Sequence, residues 1–96
     1  MLESKIEAKV TEYAKKQGLL VYKFTSPNNK GVPDRIFIYK GNVFFIEFKS
    51  ARGRFSKLQK FTIEQIKNNS IAVYTVRNVQ HGIRIIKNYV DREKLY

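Results

Sequence analysis

Residues 31–50 read GVPDRIFIYKGNVFFIEFKS. Two apolar runs, DRIFIY (34–39) and NVFFIEFKS (42–50), flank Lys40-Gly41-Asn42, and this arrangement predicts a β-hairpin. The strands of a hairpin are antiparallel, so the start of the first lies beside the end of the second. Asp34 stands at that start, and Glu47 and Lys49 stand near that end. Alternate residues of a strand share a face. Glu47 and Lys49 therefore project together, while Phe44, Ile46 and Phe48 point the other way. A charge buried in a sheet is costly unless it is paired or bound to a metal. Two acids and a lysine converging on one end of a hairpin point to a shared ligand.

The elements around the hairpin follow from periodicity and punctuation. Residues 2–17 are expected to form a helix with Leu2, Ile6, Val10, Tyr13 and Ala14 along its apolar side, ending before Gly18. LLVYKF (19–24) is a strand and TSPNNKGVP (25–33) a loop. After the hairpin, ARGRF (51–55) is a basic loop. Ser56 is the N-cap of a helix reaching about Asn69, with Leu58, Phe61, Ile63 and Ile66 on its apolar side. SIAVYTV (70–76) is a strand that returns through a helix, which allows parallel pairing with a central strand. NVQHGIRIIKNYV (78–90) is a helix weakened by Gly82, and DREKLY (91–96) is expected to fray. The order is α-β-β-β-α-β plus a C-terminal helix. It predicts an α/β fold, a small mixed sheet flanked by helices, as a single domain over residues 1–96.

Bulk composition narrows the function classes. Ninety-six residues, 43% of them hydrophobic, support one modest core, to which a second subunit would add. The chain has no cysteine and one histidine, so disulfides and thiolate metal sites are excluded and a zinc site is not expected. No apolar run approaches the roughly 18 residues of a membrane span. The charged start, MLESKIEAKV, does not read as a signal peptide, so a cytoplasmic protein is expected. Nineteen Lys and Arg against eight Asp and Glu give a net charge of +11. That imbalance favours a polyanionic partner, nucleic acid first and an anionic membrane second, over a merely solubilising surface.

Two carboxylates and a main-chain carbonyl are hard oxygen donors suited to Mg²⁺ or Mn²⁺. Such an ion lowers the pKa of a water molecule and offsets charge on a phosphate. Lys49 would orient or deprotonate that water, or offset transition-state charge; the sequence leaves these roles open. Glu3 and Glu7, four apart on the first helix, border its apolar stripe and are candidates for a further acid. A Pro-Asp alone is usually a turn and a Glu-x-Lys alone is usually a solvated strand face. Their convergence on neighbouring strands is a much sharper signal.

Lys30, Arg35, Arg52, Arg54 and Lys57 cluster in the loops flanking the motif, as sequence-independent contacts to a DNA backbone require. Lys23 and Ser26 join them at the phosphate if the strand order is right. Phe55 is expected to anchor its loop, with a DNA-stacking wedge as the weaker reading. His81 reads as a helix-surface residue. Ser56 reads as a cap and not a nucleophile, since no base is evident beside it.

The pattern PD (33–34), twelve residues, EFK (47–49), after an acid-bearing helix, resembles the PD-(D/E)XK nuclease superfamily. More narrowly, LESKIE…KFTSPNNKGVPDRIFI…GNVFFIEFKSARGRFSKLQ resembles the VRR-NUC (virus-type replication-repair nuclease) family in its stand-alone, phage-type form, over about residues 2–76. The resemblance implies a restriction-endonuclease-like core and a Mg²⁺-dependent nuclease, with Mn²⁺ also supporting activity. It implies Asp34 and Glu47 as metal ligands, the Phe48 carbonyl as a further one, Lys49 as the catalytic lysine and Gln59 as a characteristic site residue. Glu3 matches the family's first-helix pattern. Glu7 has the spacing to Gly18 found in archaeal Holliday-junction resolvases of the same superfamily. Both therefore stay candidates. The resemblance further implies a homodimer acting on branched DNA in replication, repair or recombination, in a bacterial host's cytoplasm if phage-encoded, with no small-molecule cofactor. The last helix, outside the motif core, is a candidate dimer interface.

The competing function is a non-catalytic basic module that binds nucleic acid. It leaves Asp34 and Glu47 unexplained, because bare acids beside phosphates repel DNA. A restriction-type enzyme would share the chemistry, but it needs sequence readout and no recognition insert is visible.

Overall fold

The computed structural model describes residues 1–94. Helix α1 (Glu3–Lys16) leads into β1 (Leu20–Lys23), β2 (Arg35–Tyr39) and β3 (Asn42–Phe48). Helix α2 (Lys57–Asn68), β4 (Ala72–Val76) and α3 (Val79–Lys94) complete the chain. The sheet order is β1-β2-β3-β4. The first two pairings are antiparallel, and β4 returns through α2 to lie parallel to β3. This is the α-β-β-β-α-β-α order and the mixed sheet expected from the sequence.

The hairpin turns on Lys40 and Gly41 alone, both in the left-handed region at φ 46° and 87°, and Asn42 is already paired with Tyr39. Two central residues with positive φ define the turn that matches the twist of a β-ribbon.

Strand alternation sorts the side chains onto two faces. On one, Val21, Phe37, Phe44, Ile46, Phe48 and Val76 meet Ile6, Val10 and Ala14 of α1 and Ile85, Ile86, Tyr89 and Val90 of α3. Phe44 stacks on Tyr89 with ring centroids 4.1 Å apart, and the Tyr89 and Tyr74 hydroxyls hydrogen bond at 2.7 Å. Gly82 is what lets α1 and α3 approach. A Cβ there would lie 2.5 Å from Val10 Cγ2, so the residue that weakens the helix on propensity is required by packing.

The opposite face carries α2 over β3 and β4, through Ile63 and Ile66 against Phe45 and Val73. Its rows run across the strands: Leu20, Ile38 and Val43; then Tyr22, Ile36, Phe45 and Val73; then, one step further, Asp34 beside Glu47 and Thr75. The first two rows hold no charged side chain. Beyond the reach of α2, Leu20, Tyr22 and Val43 stay exposed.

Three local expectations are corrected. Leu2 precedes the helix as its N-cap and is 67% exposed. Phe61 is 60% exposed and Leu58 45%. The face α2 turns to the sheet runs through Gln59, Ile63 and Ile66, and at about 100° per residue that sends Phe61 to the far side. The last helix does not end at Val90 but continues to Lys94, with Asn42 Nδ2 donating to Glu93 Oε1 at 3.2 Å and the Arg92 guanidinium 4.8 Å from the Tyr89 ring. Leu95 and Tyr96, also expected to fray, lie outside the described residues. The apolar side of α3 is largely taken up by the core, with Ile85, Ile86, Tyr89 and Val90 buried and Ile83 half-buried.

Candidate functional site

Asp34, Glu47 and Lys49 converge on one face at the end of the sheet. Pro33 is buried, and the loop before it is fastened to α2. Asn29 Oδ1 accepts the Gly31 amide at 2.8 Å, and Asn29 Nδ2 donates to Thr62 Oγ1 at 3.1 Å. Gly31 presses on the first turn of α2 so closely that a Cβ would lie 2.7 Å from the Leu58 carbonyl oxygen. Asp34 follows directly. Its Oδ2 accepts the Phe48 amide at 2.8 Å, while the Phe24 amide donates to the Asp34 carbonyl at 2.8 Å. The carboxylate is thus built into the hydrogen-bonding pattern of the sheet.

Glu47 and Lys49 are both buried, at 3% and 8% exposure. Lys49 Nζ lies 3.5 Å from Glu47 Oε2 and donates to Gln59 Oε1 at 3.0 Å. Gln59 Nε2 donates to Glu47 Oε2 at 3.0 Å, so one amide bridges the acid and the base. Gln59 is itself held by a capping box. Its backbone amide donates to Ser56 Oγ at 3.1 Å, and the Ser56 amide donates to Gln59 Oε1 at 3.0 Å. Ser56 acts as the N-cap expected of it. Phe55 lies beneath the lysine, its ring centroid 5.0 Å from Nζ, at a distance where a cation and an aromatic face attract.

The electrostatics are unbalanced. Burial and the neighbouring Asp34 charge push the Glu47 carboxyl up to about 7, against the pull of Lys49. Burial also pushes Asp34 above the usual carboxylate range, and its hydrogen bond from Phe48 does not fully offset this. One ammonium does not neutralise two crowded carboxylates. No group of three or more Asp, Glu, His or Cys side chains that could hold a metal occurs among the described residues. Mg²⁺ does not require one, since it commonly binds through one or two carboxylates, waters and substrate phosphate oxygens. A hard-oxygen pair short of positive charge fits such an ion.

The two helix acids differ. Glu7 Oε2 accepts from Arg35 Nε at 2.7 Å and Lys23 Nζ at 2.9 Å. Burial raises its pKa, but these two cations outweigh burial and hold it low. Lys23 and Arg35, expected at the DNA backbone, are engaged by this acid. Glu3, one turn earlier, is exposed; its charge contributes to the raised pKa of both Asp34 and Glu47, while that of Glu7 acts on Asp34 more strongly than Glu3 does. Lys30, Arg52, Arg54 and Lys57 are exposed, and Ser26 is half-buried. His81 is half-buried, and its amide donates to Asn78 Oδ1 at 2.9 Å.

Arg77 is the residue sequence reasoning missed. Its Nη1 donates to the carbonyls of Ser50 and Gly53, each at 2.8 Å, in the turn that follows Lys49. The signal was present but indirect. Phe48 pairs with Val76, so one step along the parallel ladder brings Arg77 beside Lys49.

No family model matches the chain. A solved VRR_NUC domain superposes with a TM-score of 0.81 over 91% of this chain and 96% of that one, at 22% sequence identity. The fold is therefore that of a VRR_NUC domain. In sequence, 49 residues are 39% identical to "Putative nuclease p44" of Acyrthosiphon pisum secondary endosymbiont phage 1. The match takes in 50% of this chain and 53% of that protein, so the chain spans about half the length of the curated relative it matches.

Proposed function

We propose that this chain is a divalent-metal-dependent DNA endonuclease that hydrolyses phosphodiester bonds in branched DNA and works as a homodimer. The observation that carries the reading is the Asp34–Glu47 pair: two crowded carboxylates with raised pKa, beside a buried lysine, in a chain of net charge +11. The VRR_NUC fold and the phage protein's name support the same class.

Asp34 and Glu47 would hold Mg²⁺, or Mn²⁺ in its place, with the Phe48 carbonyl and Glu3 of α1 as the further donors. Glu7 then serves as the ion-pair partner of Lys23 and Arg35 rather than as a ligand. When bound, the ion supplies a lowered pKa for a water molecule and offsets charge on the phosphate. Lys49 keeps its ammonium toward the phosphate oxygens, where charge develops. Gln59 fixes the separation of Lys49 and Glu47 and keeps the lysine from closing fully onto the acid. Lys30, Arg52, Arg54 and Lys57, with Ser26, contact the DNA backbone without reading sequence.

The homodimer reading draws on the uncovered rows of β1, β2 and β3. In a chain this basic, self-association is opposed by like charge wherever lysines and arginines lie. Exposed Leu20, Tyr22 and Val43, with half-buried Ile38 between them, offer a charge-free surface that two copies can share about a two-fold axis. Two related sites then suit the paired strands of a junction. No helix is long and apolar enough to cross a membrane among the described residues; action in a bacterial cytoplasm is part of the proposal.

The test is incubation with labelled four-way junction, flap and plain duplex under Mg²⁺, Mn²⁺ and EDTA, beside Asp34→Ala. Metal-dependent cutting of a branched substrate, absent in the variant, is the expected result. Binding without cutting under either metal makes the chain a non-catalytic DNA-binding module.

A further inference from the structure

Between Lys49 and Gln59 the chain forms a closed clasp. Its mouth is the Lys49 Nζ to Gln59 Oε1 bond at 3.0 Å. Its far arm carries Phe55 under the ammonium and Ser56 donating to that same Gln59 oxygen. Its near arm is a turn, in which the Gly53 amide donates to the Ser50 carbonyl at 3.1 Å. Ala51, Arg52 and Arg54 are exposed, so little apolar packing holds this stretch. What gathers it is one guanidinium. Arg77 Nη1 takes the carbonyls of Ser50 and Gly53 at 2.8 Å, with Ala51 at 3.4 Å, from the end of the neighbouring strand.

We propose that Arg77 is a positioning residue for Lys49: by drawing the 50–53 carbonyls together it fixes the turn that holds Phe55 and Gln59 against the lysine ammonium. The proposal deepens the nuclease reading, and its geometric part stands independently of it. The two N–H donors of Nη1 lie in the plane of a rigid guanidinium, so their directions toward the Ser50 and Gly53 carbonyls are fixed, whereas a lysine ammonium is a flexible point charge. Without it, those carbonyls turn to water and the turn carrying Arg52 and Arg54 loosens. Gly53 packs close to this junction, with the position of a Cβ only 3.4 Å from Lys49 Cδ, so loosening there reaches the lysine stem directly.

The first readout needs no catalysis. With the Phe55 ring centroid 5.0 Å from Lys49 Nζ, the ring is expected to shift the Lys49 ε-methylene protons upfield, and Phe55→Leu supplies the unshifted reference. In Arg77→Ala the Lys49 ε-protons are expected to move toward the Phe55→Leu position, with Arg77→Lys between the two. Wild-type shifts in both folded variants overturn the proposal, whether or not the protein cuts DNA. If Arg77→Ala does not fold, Arg77→Lys decides alone: a wild-type Lys49 shift there overturns it.

The second readout is kinetic. Arg77→Ala is expected to lower kcat roughly 10- to 100-fold, as small misplacements of a catalytic group do, with KM for DNA nearly unchanged. A raised KM with kcat intact makes Arg77 a DNA contact and overturns the proposal. Combining Arg77→Ala with Phe55→Leu is expected to add little to either alone, because both act through one side chain; full additivity overturns it. Absence of cutting by the wild-type protein itself sinks the nuclease reading and leaves the proton shifts to decide this one.

Discussion

Asp34 Oδ2 accepts the Phe48 amide at 2.8 Å, so the first strand of the hairpin binds the second through a carboxylate side chain. The fold depends on the acceptor and not on its charge. Asp34→Asn retains an oxygen for that amide while removing the repulsion against Glu47. Without metal, its thermal midpoint is expected to equal or exceed wild type, whereas DNA cleavage falls roughly 100-fold or more. Calorimetry beside a cleavage assay checks this; a clearly lower midpoint means the charge itself is structural.

The raised Glu47 pKa sets a direction for stability against pH. The folded carboxyl titrates at about 7 and the unfolded one at about 4.5, so between those values the folded state binds more protons. Its contribution is fully present below about pH 4.5 and is lost as pH rises through 7. In EDTA, unfolding free energy should therefore fall between pH 5 and 8, by up to ~3 kcal/mol. Glu47→Gln should flatten that slope, and Mg²⁺ should offset it by binding the ionised pair. A slope of opposite sign, unchanged by Glu47→Gln, would contradict the electrostatic picture of the site.

Glu3 and Glu7 should separate by phenotype. Glu7→Gln leaves Arg35 and Lys23 with a weaker partner in a half-buried site and should destabilise the fold by about 1–3 kcal/mol. Glu3 is exposed, and Glu3→Gln should leave the thermal midpoint alone while raising the Mg²⁺ concentration needed for half-maximal cleavage. The reverse pattern would make Glu7 the ligand.

Gln59 serves both the helix cap and the site. Gln59→Ala should lose about 1 kcal/mol of stability with the capping box. Its kcat should drop more than stability explains, roughly tenfold, because Lys49 loses its acceptor. Ser56→Ala shares the capping loss but leaves the Gln59 bonds to Lys49 and Glu47, so it should keep most of the activity. Equal activity losses in the two would tie the effect to the helix end alone.

Gly82→Ala improves helix propensity yet places a Cβ 2.5 Å from Val10 Cγ2. Overpacking should win, with destabilisation of about 1–3 kcal/mol by denaturant unfolding. A neutral or stabilised variant would mean α1 and α3 can separate freely.

The convergence of Asp34, Glu47 and Lys49 was legible because a tight hairpin and a period of two leave one arrangement open. The parallel return of β4 followed from the helix between two strands. Other features needed distances across the fold. Phe61 looked like core because the apolar residues of α2 spread over roughly 200° of its circumference, and only the anchoring of Gln59 over the sheet decides which of them face inward. Glu7's partners come from two strands, β1 and β2, so charge patterning within α1 could not reveal them. Arg77 required the register of a non-local pairing. Gly82 read as a defect in a helix because its neighbour, Val10, is far away in sequence.

The three side-chain rows on the α2 face divide the molecule's labour along a single direction. Two rows are apolar, part core and part open surface, and the third holds the acids, at the edge where the 25–33 and 51–55 loops emerge. The strand registers that set Asp34 beside Glu47 do not pass through those loops, whose fixed points are Asn29 and Gly31 against α2 and Gly53 and Phe55 against Lys49. A scaffold arranged this way is open to retargeting at its rim: exchanging the exposed Lys30, Arg52 and Arg54 should alter how DNA is grasped, while the loop residues that brace Asp34 and Lys49 keep the reactive row intact.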